Sequence, residues 1–184
     1  MNKRHLVIRP VTLADAAALA AIYAPYVVHT AITFETVPPT ARGFRTRIEK
    51  TLEWYPYLVA EDANGIVGYA YAGPFKDRAA YDWSVETSIY VARGHAHQGI
   101  GRALHDALAQ ELKARGFTNM YACISSTEHV DEYLDLNSVR FHEHLGYRLV
   151  GTFKKCASKF GRWYDMVWME RFIGDHDPDS ERPR

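Results

Sequence analysis

The stretch from residue 85 to residue 116 constrains this chain more than any other. Val85-Glu-Thr-Ser-Ile-Tyr-Val91 is rich in β-branched and aromatic residues, which predicts a strand. Gly99-Ile-Gly101 follows, and then Leu104, Leu108 and Leu112 recur every four residues. That period predicts a helix over 102–115 with one buried face, ended by Gly116 in a left-handed turn. A strand that feeds such a helix through a glycine turn builds an anion cradle. The turn's N–H groups point outward, and the positive end of the helix dipole lies behind them, so a pyrophosphate would sit there. A glycine pair alone is common in loops; the strand before it and the helix after it make this one informative.

The other elements are legible from period and punctuation. His5-Leu-Val-Ile-Arg9, stopped by Pro10, predicts a first strand. Thr12 with Asp15 three positions on is an Asp form of the capping box, and the alanine-rich 13–23 should be helical. Pro25 is read as the start of a second short helical piece ending near His29. Thr30-Ala-Ile-Thr-Phe34 predicts an extended segment, Pro38-Pro39 breaks it, and Thr40 caps a helix reaching Leu52. Tyr57–Glu61 and Ile66–Ala72 predict two strands joined through Asp62-Ala-Asn-Gly65, a hairpin signal. Met120–Ser125 predicts a strand and Ser138–Leu145 a helix stopped by Gly146. Tyr147–Lys154 and Tyr164–Arg171 predict a closing strand pair. This order describes an α/β fold, a mixed sheet with helices on its faces. One domain is expected over 1–173, with a polar, disordered tail over 174–184.

Composition removes several function classes. The 22 basic and 22 acidic residues cancel, so no basic excess points to nucleic acid. No apolar run approaches the roughly 18 residues of a membrane span. The start MNKRHLVIRP lacks the apolar core of a signal peptide, so the expected location is the cytoplasm. Cys123 and Cys156 form no CxxC pair and are read as small core residues in a reducing compartment. His95, His97, His105 and His144 fit no standard ligand spacing, and His142-Glu-His144 is not HExxH. They are read as solvated or capping histidines, and no metal is expected.

Ile89-Tyr-Val91 followed by Gly99-Ile-Gly101-Arg-Ala-Leu104 resembles the acetyl-CoA motif (Q/R)xxGxG of the GNAT superfamily of N-acetyltransferases. Several further segments resemble the phosphinothricin / methionine sulfoximine acetyltransferase branch. They are Phe34-Glu35 after Ala31-Ile-Thr, Gly68-Tyr-Ala-Tyr-Ala-Gly-Pro-Phe75, Arg78-Ala-Ala-Tyr81, Val85-Glu86, Asn137-Ser-Val-Arg-Phe-His-Glu-His-Leu-Gly-Tyr147 and Gly161-Arg-Trp-Tyr-Asp165. The resemblance runs in order from about residue 6 to 171. It implies a mostly antiparallel central sheet with a splayed strand pair holding acetyl-CoA. The implied activity is acetyl transfer to the amine of a small amino-acid-like substrate, by direct attack with a general base. An acetyltransferase for a polyamine or protein amine, and a non-catalytic acyl-CoA-binding module, are the rival readings.

Residue roles follow from the same resemblance. The backbone of Ile89, Tyr90 and Val91 would hold the pantetheine arm, with an N–H polarising the thioester carbonyl. His97, Gln98, Gly99, Ile100, Gly101 and Arg102 would hold the pyrophosphate, and Asn137 and Ser138 would also contact the cofactor. Glu86 falls at the general-base position, where an amine attacking as its free base needs a proton acceptor. A surface glutamate in a salt bridge is the alternative. His142 falls where relatives place a tyrosine or histidine near the sulfur, as a donor to the leaving thiolate; a histidine fixed on a helix face is the alternative. Lys76, Arg78 and Tyr81 lie on the substrate loop, where a cation would pair with a carboxylate or phosphinate. Phe34 and Glu35 form the opposite wall, and solvated loop charge is the alternative for Lys76 and Arg78. The sequence departs from the family pattern at three places. Ala96 stands where the motif has Gln or Arg, and Asp135 stands where it has Asn, with Asn137 close by. Residues 127–134 form an acidic insert. The aromatic-rich 160–168 matches the region that helps form a homodimer in the resembling enzymes.

Overall fold

The computed structural model describes residues 6–183. Its strands are β1 (Val7–Pro10), β2 (Tyr57–Asp62), β3 (Gly65–Pro74), β4 (Ser84–Val91), β5 (Asn119–Ser126), β6 (Arg148–Lys159) and β7 (Arg162–Phe172). Its helices are α1 (Ala16–His29), α2 (Ala41–Leu52), α3 (Ile100–Ala114) and α4 (Asn137–His144). The strands form one sheet in the order β1-β2-β3-β4-β5-β7-β6. Every neighbouring pair is antiparallel except β4 and β5. A parallel pair cannot be joined by a tight turn, and α3 is the crossover between these two.

Two helical layers cover the sheet. Leu19, Ile22 and Tyr23 of α1 and Phe44 and Ile48 of α2 pack on Tyr57, Val59 and Tyr69. On the other face Leu104, Leu108 and Leu112 of α3 pack with Ala70, Val85, Met120 and Leu145. Each such leucine contributes about 1.5–3 kcal/mol by leaving water. The helix starts follow their caps. Asp15 accepts the Thr12 N–H at 2.8 Å, and the Thr40 hydroxyl accepts the Gly43 N–H at 3.1 Å.

Four local expectations are corrected. Pro25 lies inside α1 instead of starting a second helix. A proline there removes one hydrogen bond, but Ile22, Tyr23 and Val27 bury one face across it, and that packing carries the helix through. Residues 30–34 form bends rather than a strand. Their backbone is claimed from outside any sheet: Ala31 N–H donates to Tyr133 O, Ser125 Oγ to Ile32 O and Lys159 Nζ to Thr33 O. Cys123 and Cys156 are exposed, not in the core. Cys123 faces away from the α3 layer, and Cys156 sits where the β6 register shifts between Phe153 and Ala157. His105, expected at the surface, is buried under α3. His5, the first residue of the expected opening strand, lies outside the described residues.

The sheet has one structural interruption. The β4–β5 ladder contains only Ser84↔Asn119, Val85↔Met120 and Glu86↔Tyr121. Beyond Glu86 the two strands part, while β5 stays paired with β7 as far as Ser126↔Asp165. The result is a cleft that opens at Glu86 and widens toward the start of α3. The tail has no helix or strand over 174–183, yet it touches the domain. His176 Nε2 meets Asn119 Oδ1 at 2.7 Å, Trp83 Nε1 donates to Glu181 O at 3.1 Å, and Arg182 pairs with Asp82.

Gly68 lets α3 approach the sheet. A Cβ there would lie 3.0 Å from Tyr90 O and 3.1 Å from Leu104 Cδ1. Gly68→Ala is expected to lower the unfolding free energy by about 1–3 kcal/mol in a urea titration, because one contact is backbone and cannot swing aside.

Candidate active site

Side chains alternate along a strand, so Glu86, Ser88 and Tyr90 share one face with their partners Gly73, Tyr71 and Tyr69. Val85 and Thr87 point the other way, into the core. Glu86 therefore stands at the vertex of the cleft, on the face not covered by α3. Burial raises its carboxyl above the usual range, and the Lys76 ammonium partly counters this.

An aromatic group flanks Glu86. Phe75 stacks on Tyr121 with ring centroids 4.2 Å apart, and Trp168 and Tyr81 meet Phe75 edge-on. Lys76 Nζ lies over both Phe75 and Trp168, 4.9 and 5.2 Å from the ring centroids. Arg78 is exposed and precedes the turn that carries Tyr81. Lys76 and Tyr81 are thus gathered around one ring, with Arg78 on the same loop. Phe34 and Glu35 sit apart from them. Phe34 lies against Tyr164, while Glu35 takes a two-pronged contact from Arg47 at 2.9 and 3.0 Å and accepts the Tyr23 hydroxyl at 3.1 Å. Among the described residues no hydrogen bond, ion pair or ring contact joins Phe34 or Glu35 to the Lys76 loop.

The segment 127–134 buttresses the wall that carries Phe34. Leu134 packs with Ala31 and Tyr164, and Asp131 accepts the Tyr164 hydroxyl at 3.0 Å. Arg162 grips Glu132 at 2.7 and 2.9 Å. A cavity of about 240 Å³ also lies on the Glu86 face, lined by Tyr57, Tyr69, Tyr71 and Tyr90 with Arg47 and Lys50. The sequence reading missed this cavity and the Phe75–Tyr121–Trp168 group. The spacing of Tyr69 and Tyr71 was the available signal, since residues two apart share a face.

The glycine turn has the form of an anion cradle. Gly99 has φ +80° and precedes the first residue of α3. His97 is also left-handed, at φ +60°, an uncommon conformation for a residue with a Cβ. A Cβ at Gly101 would lie 3.1 Å from the Phe141 ring, so this glycine lets α4 close on the start of α3. The Nδ1 of His95 is buried with no partner among the described residues. Gln98 Nε2 donates to Gly94 O at 3.3 Å. The Arg102 guanidinium donates to His144 O at 3.1 Å, so this side chain ties α3 to the end of α4.

Along β4, the Val91 carbonyl already accepts the Tyr26 hydroxyl at 2.5 Å. Asp135 accepts both the N–H and the side-chain amide of Asn137, at 2.9 and 2.5 Å. The two residues form one unit at the start of α4, next to Ser138. His142 is buried, and its Nδ1 lies 2.8 Å from Ser138 O. Burial holds its pKa below the usual histidine value.

A cleft at a parted parallel strand pair, a glycine turn at a helix start and a desolvated carboxylate at the vertex occur together here. The family described as Acetyltransferase (GNAT) domain matches residues 8–168. The chain belongs to the GNAT acetyltransferase family. It is 37% identical over 183 residues to the phosphinothricin N-acetyltransferase of Streptomyces viridochromogenes, covering 99% of this chain and 96% of that protein. It is 31% identical to the L-methionine sulfoximine/L-methionine sulfone acetyltransferase of Salmonella typhimurium, covering 95% and 99%. The crystal structure of a GNAT superfamily phosphinothricin acetyltransferase from Sinorhizobium meliloti in complex with AcCoA superimposes with a TM-score of 0.85. That pair is 33% identical, with 97% of this chain and 93% of the other covered.

Three features of this GNAT chain suit acetyl-CoA: the open edge of β4, the left-handed Gly99 at the start of α3, and the orphaned His95 nitrogen beside it. No group of three or more His, Cys, Asp or Glu is placed to hold a metal among the described residues.

Lys159 is the strut of the Phe34 wall, since it is buried and donates to Thr33 O at 2.7 Å. Lys159→Met leaves that carbonyl unpaired. It is expected to cost about 1–3 kcal/mol and to speed amide hydrogen exchange over 30–35 more than elsewhere.

Proposed function

We propose that this chain transfers an acetyl group from acetyl-CoA to the amine of a small amino-acid-like acceptor of the phosphinothricin or methionine sulfoximine type, with Glu86 as the general base. The observation that carries this reading is the desolvated Glu86 carboxylate at the cleft vertex, beside an aromatic loop that presents Lys76 and Arg78. The relatives described above act on acceptors of this kind by name, and the likeness spans nearly the whole chain.

Acetyl-CoA supplies the activated thioester. The chain's residues do the rest. Beyond Glu86 the β4 backbone at Ile89, Tyr90 and Val91 has left its β5 neighbour and is open to hold the pantetheine arm. His97 to Arg102 would offer main-chain N–H groups at the start of α3 to the pyrophosphate, and Asn137 and Ser138 at the start of α4 would also contact the cofactor. The acceptor ammonium gives its proton to Glu86, directly or through water. A carboxyl pKa raised by burial makes the Glu86 carboxylate a better proton acceptor. His142 has a narrower role than the resemblance implies. A neutral imidazole whose Nδ1–H is given to Ser138 O carries a lone pair on Nε2, so it protonates a leaving thiolate only after being protonated itself. We read Glu86 as the principal proton-transfer residue and His142 as secondary.

We also infer a homodimer and a cytoplasmic location. The outer strand β6 exposes Leu149, Val150 and Phe153, and Trp163 and Phe172 of β7 are exposed beside it. A long apolar edge strand is normally covered. The exposed, unpaired Cys123 and Cys156 suit a reducing compartment. Sedimentation velocity should give a dimer, and Phe153→Glu combined with Trp163→Glu should give a monomer.

The deciding assay is thiol release from acetyl-CoA with phosphinothricin, methionine sulfoximine, methionine sulfone, common amino acids, polyamines and a lysine peptide. Turnover with the amino-acid analogues, lowered about 10²–10⁴-fold by Glu86→Gln, is the expected result. Turnover with polyamine or peptide alone would remove the acceptor assignment and leave the chemistry. Coenzyme A binding without turnover would favour a binding module.

The pH dependence has a defined sign. Activity should rise with pH as Glu86 ionises, with its midpoint above the ordinary glutamate value of 4.5. Because the folded pKa exceeds the unfolded one, ionised Glu86 costs stability at neutral pH. Glu86→Gln should therefore melt higher than the wild type at pH 7. The difference should vanish below about pH 4, where both forms are neutral.

A further inference from the structure

Below the cleft vertex a chain of polar groups runs through an apolar core. Thr87, Tyr147 and His105 are 8%, 5% and 3% exposed and lie among Val85, Leu104, Leu108, Met120 and Leu145. Thr87 Oγ1 donates to Tyr121 O at 3.2 Å. The Tyr147 hydroxyl lies 3.4 Å from Thr87 Oγ1 and 3.1 Å from His105 Nε2. Polar groups this deep are costly unless each is bonded, so the chain is a specific arrangement.

The direction of the chain follows from its outer end, where the Thr87 hydroxyl donates to Tyr121 O. Burial and the neighbouring Arg171 push the His105 pKa down to about 4, so the ring is neutral and carries one N–H. Arg171 Nη1 and Asp106 Oδ1 both lie 3.5 Å from His105 Nδ1. A guanidinium can only donate and a carboxylate can only accept, so these two equidistant neighbours do not by themselves choose the tautomer. The one Thr87 hydroxyl proton goes to Tyr121 O, so the Tyr147 hydroxyl donates to Thr87 and accepts from His105, which puts the ring proton on Nε2 and leaves Nδ1 to accept from Arg171. The sequence of donations is Arg171 to His105, His105 to Tyr147, Tyr147 to Thr87 and Thr87 to the Tyr121 carbonyl.

That carbonyl belongs to the last residue at which β4 and β5 are paired. We propose that His105 and Tyr147 are positioning residues that fix the cleft vertex through Thr87, and so set the width of the cofactor slot. Unpaired main-chain groups on facing strands tend to zip together. The Thr87 hydroxyl occupies the Tyr121 carbonyl at the point where zipping would continue, and the Tyr147 hydroxyl holds Thr87 there. His142 packs edge-on to the same ring with centroids 5.0 Å apart, so α4 is referenced to the same point. The proposal rests on the reading of the cleft as the acetyl-CoA slot, and it goes beyond the roles assigned to Glu86 and the glycine turn.

The test is calorimetric binding of coenzyme A, which needs no acceptor and no turnover. Tyr147→Phe and Thr87→Val should each weaken coenzyme A by about tenfold. The double variant should be no weaker than either single one, because both cut the same chain. Thr87→Ser and His105→Gln, which keep the hydroxyl and the donor, should restore most of the affinity, while His105→Leu should not. With acetylation assayed, KM for acetyl-CoA should rise and KM for the acceptor should hold. Imidazole 15N shifts should report the proton on Nε2 of His105. Variants that melt lower but bind coenzyme A as the wild type does would overturn the proposal, leaving the chain a purely structural feature. A proton on Nδ1 would overturn the assigned direction. Should Tyr147→Phe fail to fold, the Thr87→Val and Thr87→Ser pair carries the same comparison. A wild type that binds no coenzyme A would instead sink the reading of the cleft itself.

Discussion

The parting of β4 from β5 after three ladder pairs is the constraint on which the rest of the structure depends. A sheet ordinarily satisfies every main-chain group between neighbouring strands. Here one central junction is left open on purpose by its surroundings. β5 has its other edge fully engaged by β7, and β4 is held on its other edge by β3 from Gly68 to Pro74, so neither strand depends on the other for stability. Each can end the shared ladder without unravelling. The crossover helix α3 then starts, through the glycine turn, beyond the end of β4 at Val91.

That geometry explains why a carboxylate is useful at residue 86 and not two positions further. At the vertex the strands are still close enough to shield Glu86 from water, which raises its pKa. Lys76 works against the shift but does not bond to Glu86. It is held over Phe75 and Trp168, where a cation gains from the ring faces. Among the described residues Glu86 and Lys76 therefore form no salt bridge with each other.

Most of the scaffold was legible in the sequence because local signals and packing agree there. The four-residue leucine period of α3, the Thr40 cap and the Asn64-Gly65 turn each lead to the element observed. Legibility failed where distant residues decide. Pro25 breaks helices in isolation, but here the buried face of α1 overrides it. The β-branched run 30–34 looks extended, yet its backbone is satisfied by Tyr133, Ser125 and Lys159, all about a hundred residues away or more, and no local pattern reports them. Cys123 and His105 were misplaced for one reason. Alternation along a strand or around a helix gives two faces but does not say which meets the core when both are partly apolar. The candidate base was found through a motif, whereas Phe75, Tyr121 and Trp168 come from three separate elements and meet only in three dimensions.

The distribution of cations bears on which acceptors this surface can favour. Around the cleft Arg47 is spent on Glu35, Arg162 on Asp131 and Glu132, and Lys159 on the Thr33 carbonyl. Lys76 and Arg78 have no carboxylate partner among the described residues. A polyamine approaching Glu86 would bring further positive charges toward these two side chains, with only partial screening over a few ångströms. On the proposed reading, an amino-acid-like acceptor would offer its amine to Glu86 and an anionic group to Lys76 or Arg78, so both ends of the ligand would find opposite charge. On the same reading, a carboxylate and a cation that do not neutralise each other would act as a polarity filter, favouring acceptors that carry both signs.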